Sequence, residues 1–244
     1  MSNLRIDQPP SETAQLSIPY MSTLELMALL KTLISSQKTN TIFDLGCGIG
    51  AQSMFLSKQF PSVEFIGLDY NPHHVDFAQN LASEKQMVNV SFENFDILQP
   101  DLSRFKKIQD GNTGLVSVHT LCCFKNFKPF FDALLNFNPK WFVVNSLFYE
   151  GPLEVLIHMR ELNSPSPDGS SDSDFNIFSK ETVKSHLENF GYMVRYSDFY
   201  PERQLPRPSK NKRGTYTVST DFHPRTQFSG PVHLPWSFLI AVKQ

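Results

Sequence analysis

The residues with the clearest capacity for chemistry lie in one run, Asp44-Leu45-Gly46-Cys47-Gly48-Ile49-Gly50. It ends a short apolar stretch and precedes a segment of helical spacing, residues 51–59. Glycines in that setting let the chain turn tightly and let backbone approach a ligand with no Cβ in the way. A helix starting just beyond the loop aims free N–H groups and partial positive charge at whatever lies over it. Two carboxylates flank the loop. Asp44 stands two residues before the first glycine, and Asp69 stands 23 residues after it, at the end of a second apolar stretch. A carboxylate in the second position can accept both hydroxyls of a ribose lying across the strand ends. One in the first position opposes a pyrophosphate and attracts an ammonium. The same letters also fit G-x-G-x-x-A (Gly46, Gly48, Ala51), so an NAD-linked oxidoreductase stays open at this point.

Histidine is the side chain most easily poised near neutral pH. His119 lies at the end of the apolar stretch 115–121 and is the first candidate base; His158, in GPLEVLIHMREL with Glu150 and Glu154 upstream, is the second. His73-His74 opens a helix and is expected to face solvent, while His223 and His233 fall in a C-terminal insertion. Cys122 and Cys123 have no partners at zinc-ligand spacing, so they read as packed thiols and no metal is expected. With Cys47 they make an odd count of three, which builds no disulfide framework and fits a reducing compartment.

The elements that must position these groups alternate along the chain. Apolar runs at 41–46, 63–70, 88–96, 115–121 and 141–147 read as strands, with helical spacing between them. That alternation predicts βαβ units: an α/β, Rossmann-like doubly wound sheet, mostly parallel and seven-stranded, with helices on both faces. A helix over 18–38, carried by Met21, Leu24, Met27, Ala28 and Leu30, precedes the first strand. Asn71-Pro72 is a helix start, and Ser179 caps a helix ending at Gly191. The run 192–200 is a further strand candidate, and WSFLIAV closes the chain as a strong strand, expected to be antiparallel.

DLGCGIG followed by GLDYNPHHVDFA resembles motifs one and two of the class I S-adenosylmethionine-dependent methyltransferases. The resemblance covers roughly residues 42–147 and extends to the terminal strand. It implies that Gly46, Cys47, Gly48 and Gly50 line the methionine part of the cofactor, with Asp44 behind its ammonium. Asp69 would hold the ribose hydroxyls and Tyr70 would stack near the adenine. Asp96 would accept from the adenine amino group, with Ile97 beside it. His119 would sit beneath the methyl-donor sulfur, and Tyr20, on the N-terminal cover helix, would reach the same cofactor. The implied activity is methyl transfer to a small-molecule or glycan acceptor, a hydroxyl by preference. An N-methyltransferase of a small amine and a non-catalytic cofactor-binding module are the other readings.

Composition narrows the partners. With 22 Lys and Arg against 24 Asp and Glu, the net charge of −2 gives no basic field for polymeric nucleic acid. The N-terminus has no apolar stretch of the signal-peptide kind and no run suits a bilayer, so the chain reads as cytoplasmic with no membrane partner. Residues 1–16 read as a flexible leader and 17–244 as one domain. Within it, 17–40 is a cover helix, 41–162 the cofactor-binding core, 163–176 a Ser/Pro/Asp loop, and 177–244 a C-terminal part with an insertion at 201–235. That insertion, with its basic run RQLPRPSKNKR (203–213), is a candidate lid over the acceptor and a candidate anion-recognition element. The 22 phenylalanines are chiefly core filling, with an aromatic-lined pocket as the sharper reading. The oligomeric state stays open, a homodimer included.

Overall fold

The computed structural model describes residues 19–105, 112–160, 173–200, 204–208 and 214–244. The leader 1–16, most of the 163–176 loop and part of the basic run therefore lie outside the described residues. The first half runs α1 (Met21–Gln37), β1 (Thr41–Leu45), α2 (Ala51–Gln59), β2 (Glu64–Asp69), α3 (Pro72–Glu84) and β3 (Val90–Asn94). It continues through β4 (Thr113–Val118), α4 (Phe127–Asn136) and β5 (Trp141–Tyr149). Three two-residue strands follow, β6 (His158–Met159), β7 (Ser173–Asp174) and β8 (Phe178–Ser179), then α5 (Lys180–Glu188) and β9 (Tyr192–Asp198). The chain ends with β10 (Thr215–Val218), β11 (Thr226–Ser229), β12 (Val232–His233) and β13 (Trp236–Lys243).

The main sheet has the order β3-β2-β1-β4-β5-β13-β9. Its first five strands are parallel, and β13 runs antiparallel between β5 and β9. This is the mostly parallel, seven-stranded α/β sheet that the alternation implies. Strand order reverses between β1 and β4, and the crevice beyond the carboxyl ends of those two strands is where an open α/β sheet takes ligands. Among the described residues, no helix is long and apolar enough to cross a membrane.

Both faces of the sheet are covered, and side-chain parity decides which residue meets which layer. From β1, Phe43 and Leu45 join a core with Phe130 and Leu134 of α4 and Val183 and Leu187 of α5. Ile42 points the other way, into a core with Leu26 and Leu30 of α1, Leu56 of α2 and Ala78 of α3. Asp44 shares Ile42's parity and so faces α1 and α2. The buried apolar stripe of α1 is Leu26, Leu30 and Leu33; of the expected Met21, Leu24, Met27, Ala28 and Leu30, Leu30 is buried, Met21, Leu24 and Met27 are half-buried, and Ala28 is exposed. Leu26, Leu30 and Leu33 repeat at i, i+4 and i+7, and the neighbouring Met27 and Leu29, half-buried, blur that stripe in the sequence.

Caps set the helix entries. Asn71 Oδ1 accepts from the His73 amide at 3.0 Å with Pro72 at the first helical position, and Ser179 Oγ accepts from the Thr182 amide at 3.2 Å. The C-terminal insertion is more ordered than its composition implies: β10, β11 and β12 form a separate antiparallel sheet beside the main one. Within it Arg207 donates to the Tyr216 hydroxyl at 3.0 Å and lies over that ring, so this member of the basic run packs on the small sheet.

The exit of α1 is tied to the sheet by Trp141, fully buried on β5, whose indole N–H donates to Thr39 Oγ1 at 2.7 Å. The ring occupies space left by Gly114 on β4, where a Cβ would stand 2.1 Å from Trp141 Cζ2. Gly114→Ala is therefore expected to lower stability by about 1–3 kcal/mol through overpacking, read as a lower urea midpoint. An unchanged midpoint would show that the indole has room to shift.

Candidate cofactor and acceptor clefts

The loop after β1 is built by its own backbone. The amides of Gly46 and Cys47 both donate to the Leu68 carbonyl, at 2.7 and 3.1 Å, which draws the loop against the end of β2. Gly46 has φ +75°, and a Cβ there would stand 2.3 Å from Thr120 Oγ1, so both the turn and the close approach demand glycine. Gly48, at φ +55°, has open space where a Cβ would be. Its amide donates to Asp69 Oδ2 at 2.8 Å, while Asp69 Oδ1 accepts from the Asn71 amide at 2.9 Å. Asp69 thus locks the glycine loop to the start of α3, and each of its oxygens keeps a second lone pair for another donor.

Asp44 is buried at the base of this loop. Ser53 Oγ donates to it at 2.6 Å and Gln52 Nε2 approaches at 3.3 and 3.4 Å, both from α2. Thr23 of α1 donates in turn to Gln52 Oε1 at 3.4 Å. A chain of polar contacts therefore runs from the N-terminal helix to the carboxylate. Burial raises the Asp44 pKa to about 6 against the lowering effect of Ser53 and Gln52, and the nearby Asp69 charge adds to the rise. Burial likewise pushes the Cys47 thiol up, so it serves as a wall rather than a nucleophile.

These groups open on a cleft of about 190 Å³, bounded on one side by Tyr20 and Thr23 and on another by Val118 and His119. His119 does not continue β4. It takes φ +62°, with its amide donating to the Asn145 carbonyl at 3.0 Å. Left-handed backbone is uncommon outside glycine, and here it turns the imidazole toward the cleft. The ring faces open space yet lies deep in the molecule. Desolvation by the surrounding protein lowers its pKa to about 4, against the raising effect of the Asn145 side chain, so it is neutral at physiological pH. Its ring centroid lies 4.4 Å from Trp236 and 6.4 Å from Tyr20.

Of the residues singled out from sequence, Tyr20, Asp44, Gly46, Cys47, Gly48 and His119 come together as walls of this cleft. Asp69 stands behind its glycine loop, and Tyr70, next in the chain, is 41% exposed beyond the end of β2. Asp96 accepts from the Leu98 amide at 2.8 Å in a turn after β3, and Ile97 is buried in the core with Phe95 and Phe105. Gly50 serves packing: a Cβ there would lie 2.4 Å from the Phe92 ring. His158 is on the β6–β7 pair, outside the cleft, with Nδ1 2.9 Å from Asp174. His74, expected in solvent, instead lines the cleft 3.6 Å from Asp69, whereas His73 is exposed. Gln52 and Thr23 were also not anticipated.

A second cavity, about 170 Å³, lies beyond Trp236, between the end of β5 and the small C-terminal sheet. Tyr149, Phe199, Tyr200, Phe222 and Trp236 contribute rings to its lining, and Arg225, Thr226, Gln227 and His233 contribute polar groups. One wall is polar. Lys180 Nζ contacts Glu150 at 2.6 Å and Asp198 at 2.7 Å, and Ser237 Oγ donates to the same Asp198 oxygen at 2.7 Å. Burial alone would depress the Lys180 pKa, but the two carboxylates outweigh it and leave it above the ordinary value. Trp236 is common to both spaces, lining the second cavity on one side and packing on His119 of the first.

Residues 36–141 match the family model for a methyltransferase domain. A 105-residue stretch is 30% identical to the 23S rRNA (uracil(1939)-C(5))-methyltransferase RlmD of Marinomonas posidonica, covering 43% of this chain and 23% of that one. The chain spans only 23% and 39% of the lengths of two curated relatives that it matches. Among solved structures, the methyltransferase domain of bacterial CtHen1 superposes with a TM-score of 0.54 at 14% identity, covering 91% of this chain and 97% of that one. Magnesium protoporphyrin IX methyltransferase from Synechocystis PCC 6803, solved with bound SAH, also gives 0.54 at 14% identity, covering 98% and 90%. Residues 36–141 are thus similar to a methyltransferase domain, and the chain shares the fold of these solved methyltransferases.

The electrostatics of Asp44 have a measurable cost. Its folded-state pKa of about 6 exceeds the unfolded 3.8, so the ligand-free fold loses stability from this group as pH rises from about 4 through 6. Asp44→Asn is therefore expected to stabilise the ligand-free protein at pH 7.5 by about 2–3 kcal/mol and to have little effect at pH 4. Urea unfolding at the two pH values reads the difference. A variant less stable at pH 7.5 would show that the contacts of the carboxylate outweigh its burial.

Proposed function

We propose that this protein is an S-adenosylmethionine-dependent methyltransferase acting on a small-molecule acceptor, with the cofactor in the cleft between the β1 loop and His119. The observation that carries the reading is a buried carboxylate, Asp44, at the base of a glycine loop that opens on a cleft with room at Gly48. An ionised Asp44 in that position is a counter-charge for an ammonium and a repeller of pyrophosphate, which favours an amino-acid-bearing cofactor over a dinucleotide. The residues present fit the group. Gly46, Cys47 and Gly48 would line its methionine part, with Asp44 opposite the ammonium. Asp69 would take the ribose through its remaining lone pairs, and Tyr70, Asp96 and Ile97 would serve the base.

When bound, the cofactor supplies a methyl group on a sulfonium, open to in-line displacement. The acceptor would bring the lone pair for that displacement and give up its own proton. What the chain must do is align the acceptor and exclude water. His119, uncharged and turned into the cleft, can accept a hydrogen bond from the acceptor's X–H and hold its lone pair toward the methyl group. An imidazole whose conjugate acid has a pKa of about 4 is a poor general base. The arrangement therefore suits an acceptor that is acidic enough, or neutral enough, to need little help.

The test is binding. Hydrogen bonds to a charged group are worth about 1.5–3 kcal/mol, so Asp69→Ala is expected to weaken S-adenosylhomocysteine binding by roughly ten- to a hundredfold in calorimetric titration. A folded variant with unaltered affinity would contradict the assignment.

A further inference from the structure

We infer that the second cavity is the acceptor site and that it takes a phenol, a flat aromatic ring whose hydroxyl is methylated as its edge passes Trp236 toward His119. This deepens the proposed function and rests on it.

Three observations favour that class. The first is the lining. Tyr149, Tyr200 and Phe222 are 46%, 38% and 66% exposed at a single cavity, where Trp236 and Phe199 also present their rings. Large rings left in contact with water around one space form a stacking surface for another flat ring.

The second observation is the state of the polar wall. Lys180, Glu150, Asp198 and Ser237 satisfy one another, and the lysine's charge is held between two carboxylates. The ammonium is 9% exposed, whereas the Glu150 and Asp198 side chains are 80% and 54% exposed. That wall therefore offers carboxylate oxygens, which receive O–H donors and disfavour an anionic edge beside them, while Arg225, Thr226, Gln227 and His233 line another part of the cavity. A sugar, with hydroxyls all round, would leave most of them unmatched against the rings, at the cost of unpaired polar groups.

The third is the neutral imidazole. An alkyl or sugar hydroxyl needs a strong base, but a phenol ionises near pH 10, as a tyrosine does, and loses its proton readily to water once methyl transfer is under way. The step balances with nothing added: ring–OH and the sulfonium give the ring methyl ether, the thioether and one proton.

Saturation-transfer NMR on the full-length protein separates the possibilities, with resorcinol as the phenol, cyclohexane-1,3-diol as its saturated counterpart, methyl glucoside as the sugar and benzoate as the anion. Resorcinol is expected to bind. The other three are expected to bind at least about tenfold more weakly, or not at all. Tyr200→Ala combined with Phe222→Ala is expected to weaken resorcinol about tenfold, the worth of two ring contacts, while S-adenosylhomocysteine affinity stays the same. Equal or tighter binding of the diol, the glucoside or benzoate would overturn the inference, as would resorcinol binding that is absent or indifferent to the two rings. Loss of S-adenosylhomocysteine binding by the parent protein would instead overturn the proposed function, so the two failures are distinguishable.

Discussion

Burying one carboxylate organises this molecule. Asp44 is placed by strand parity on the α1–α2 face of β1, where apolar side chains otherwise fill the layer. A charge there must be partnered, and the partners are supplied by the elements that also frame the cleft: Ser53 and Gln52 from α2, with Thr23 of α1 behind Gln52. Those contacts leave Asp44 with a pKa of about 6, so the ligand-free protein carries a destabilising charge at neutral pH. A cation above the glycine loop relieves it. On the proposed function, the same carboxylate would cost stability without a ligand and contribute affinity with one.

How far the sequence reveals this depends on how local each feature is. The loop, its flanking acids and the caps at Asn71 and Ser179 are short-range patterns, and each stands where spacing implies. His74 was missed because adjacency to an exposed His73 suggested solvent. The signal lay in the cap: with Asn71 at the helix start, His74 is the third helical residue, and side chains there lean back toward the N-terminal end, over Asp69. Gly50 shares the loop's letters yet yields to the Phe92 ring, a contact formed across the sheet layer and invisible in spacing. The stripe on α1 was misphased because apolar residues nearly encircle its middle, and tertiary packing chose among them.

The second cavity was least legible. Its walls come from the end of β5, the start of α5, the end of β9 and the stretch from Phe222 to Ser237. No periodicity links segments so far apart, although strand-like alternation over 214–220 coincides with β10. Placed on β13 at the edge of the β5 pairing, Trp236 joins that sheet to the cofactor side through its contact with His119. A core strand thereby carries the wall between two ligand spaces. Phenylalanine divides in the same way: most of the rings described fill the core, and Phe148, Phe199 and Phe222 reach the cavity.

The central claim is that a buried, weakly acidic Asp44 becomes the fixed counter-charge of a bound amino-acid ammonium. Calorimetric titration of S-adenosylhomocysteine at pH 6, in two buffers of different ionisation enthalpy, counts the protons exchanged on binding. With a free-state pKa of about 6, Asp44 is about half protonated at that pH and must ionise in the complex. The account predicts saturable binding with release of about half a proton, falling toward zero release from this group as the pH is raised to 7.5. Binding with no release at pH 6, or no binding at all, would contradict it.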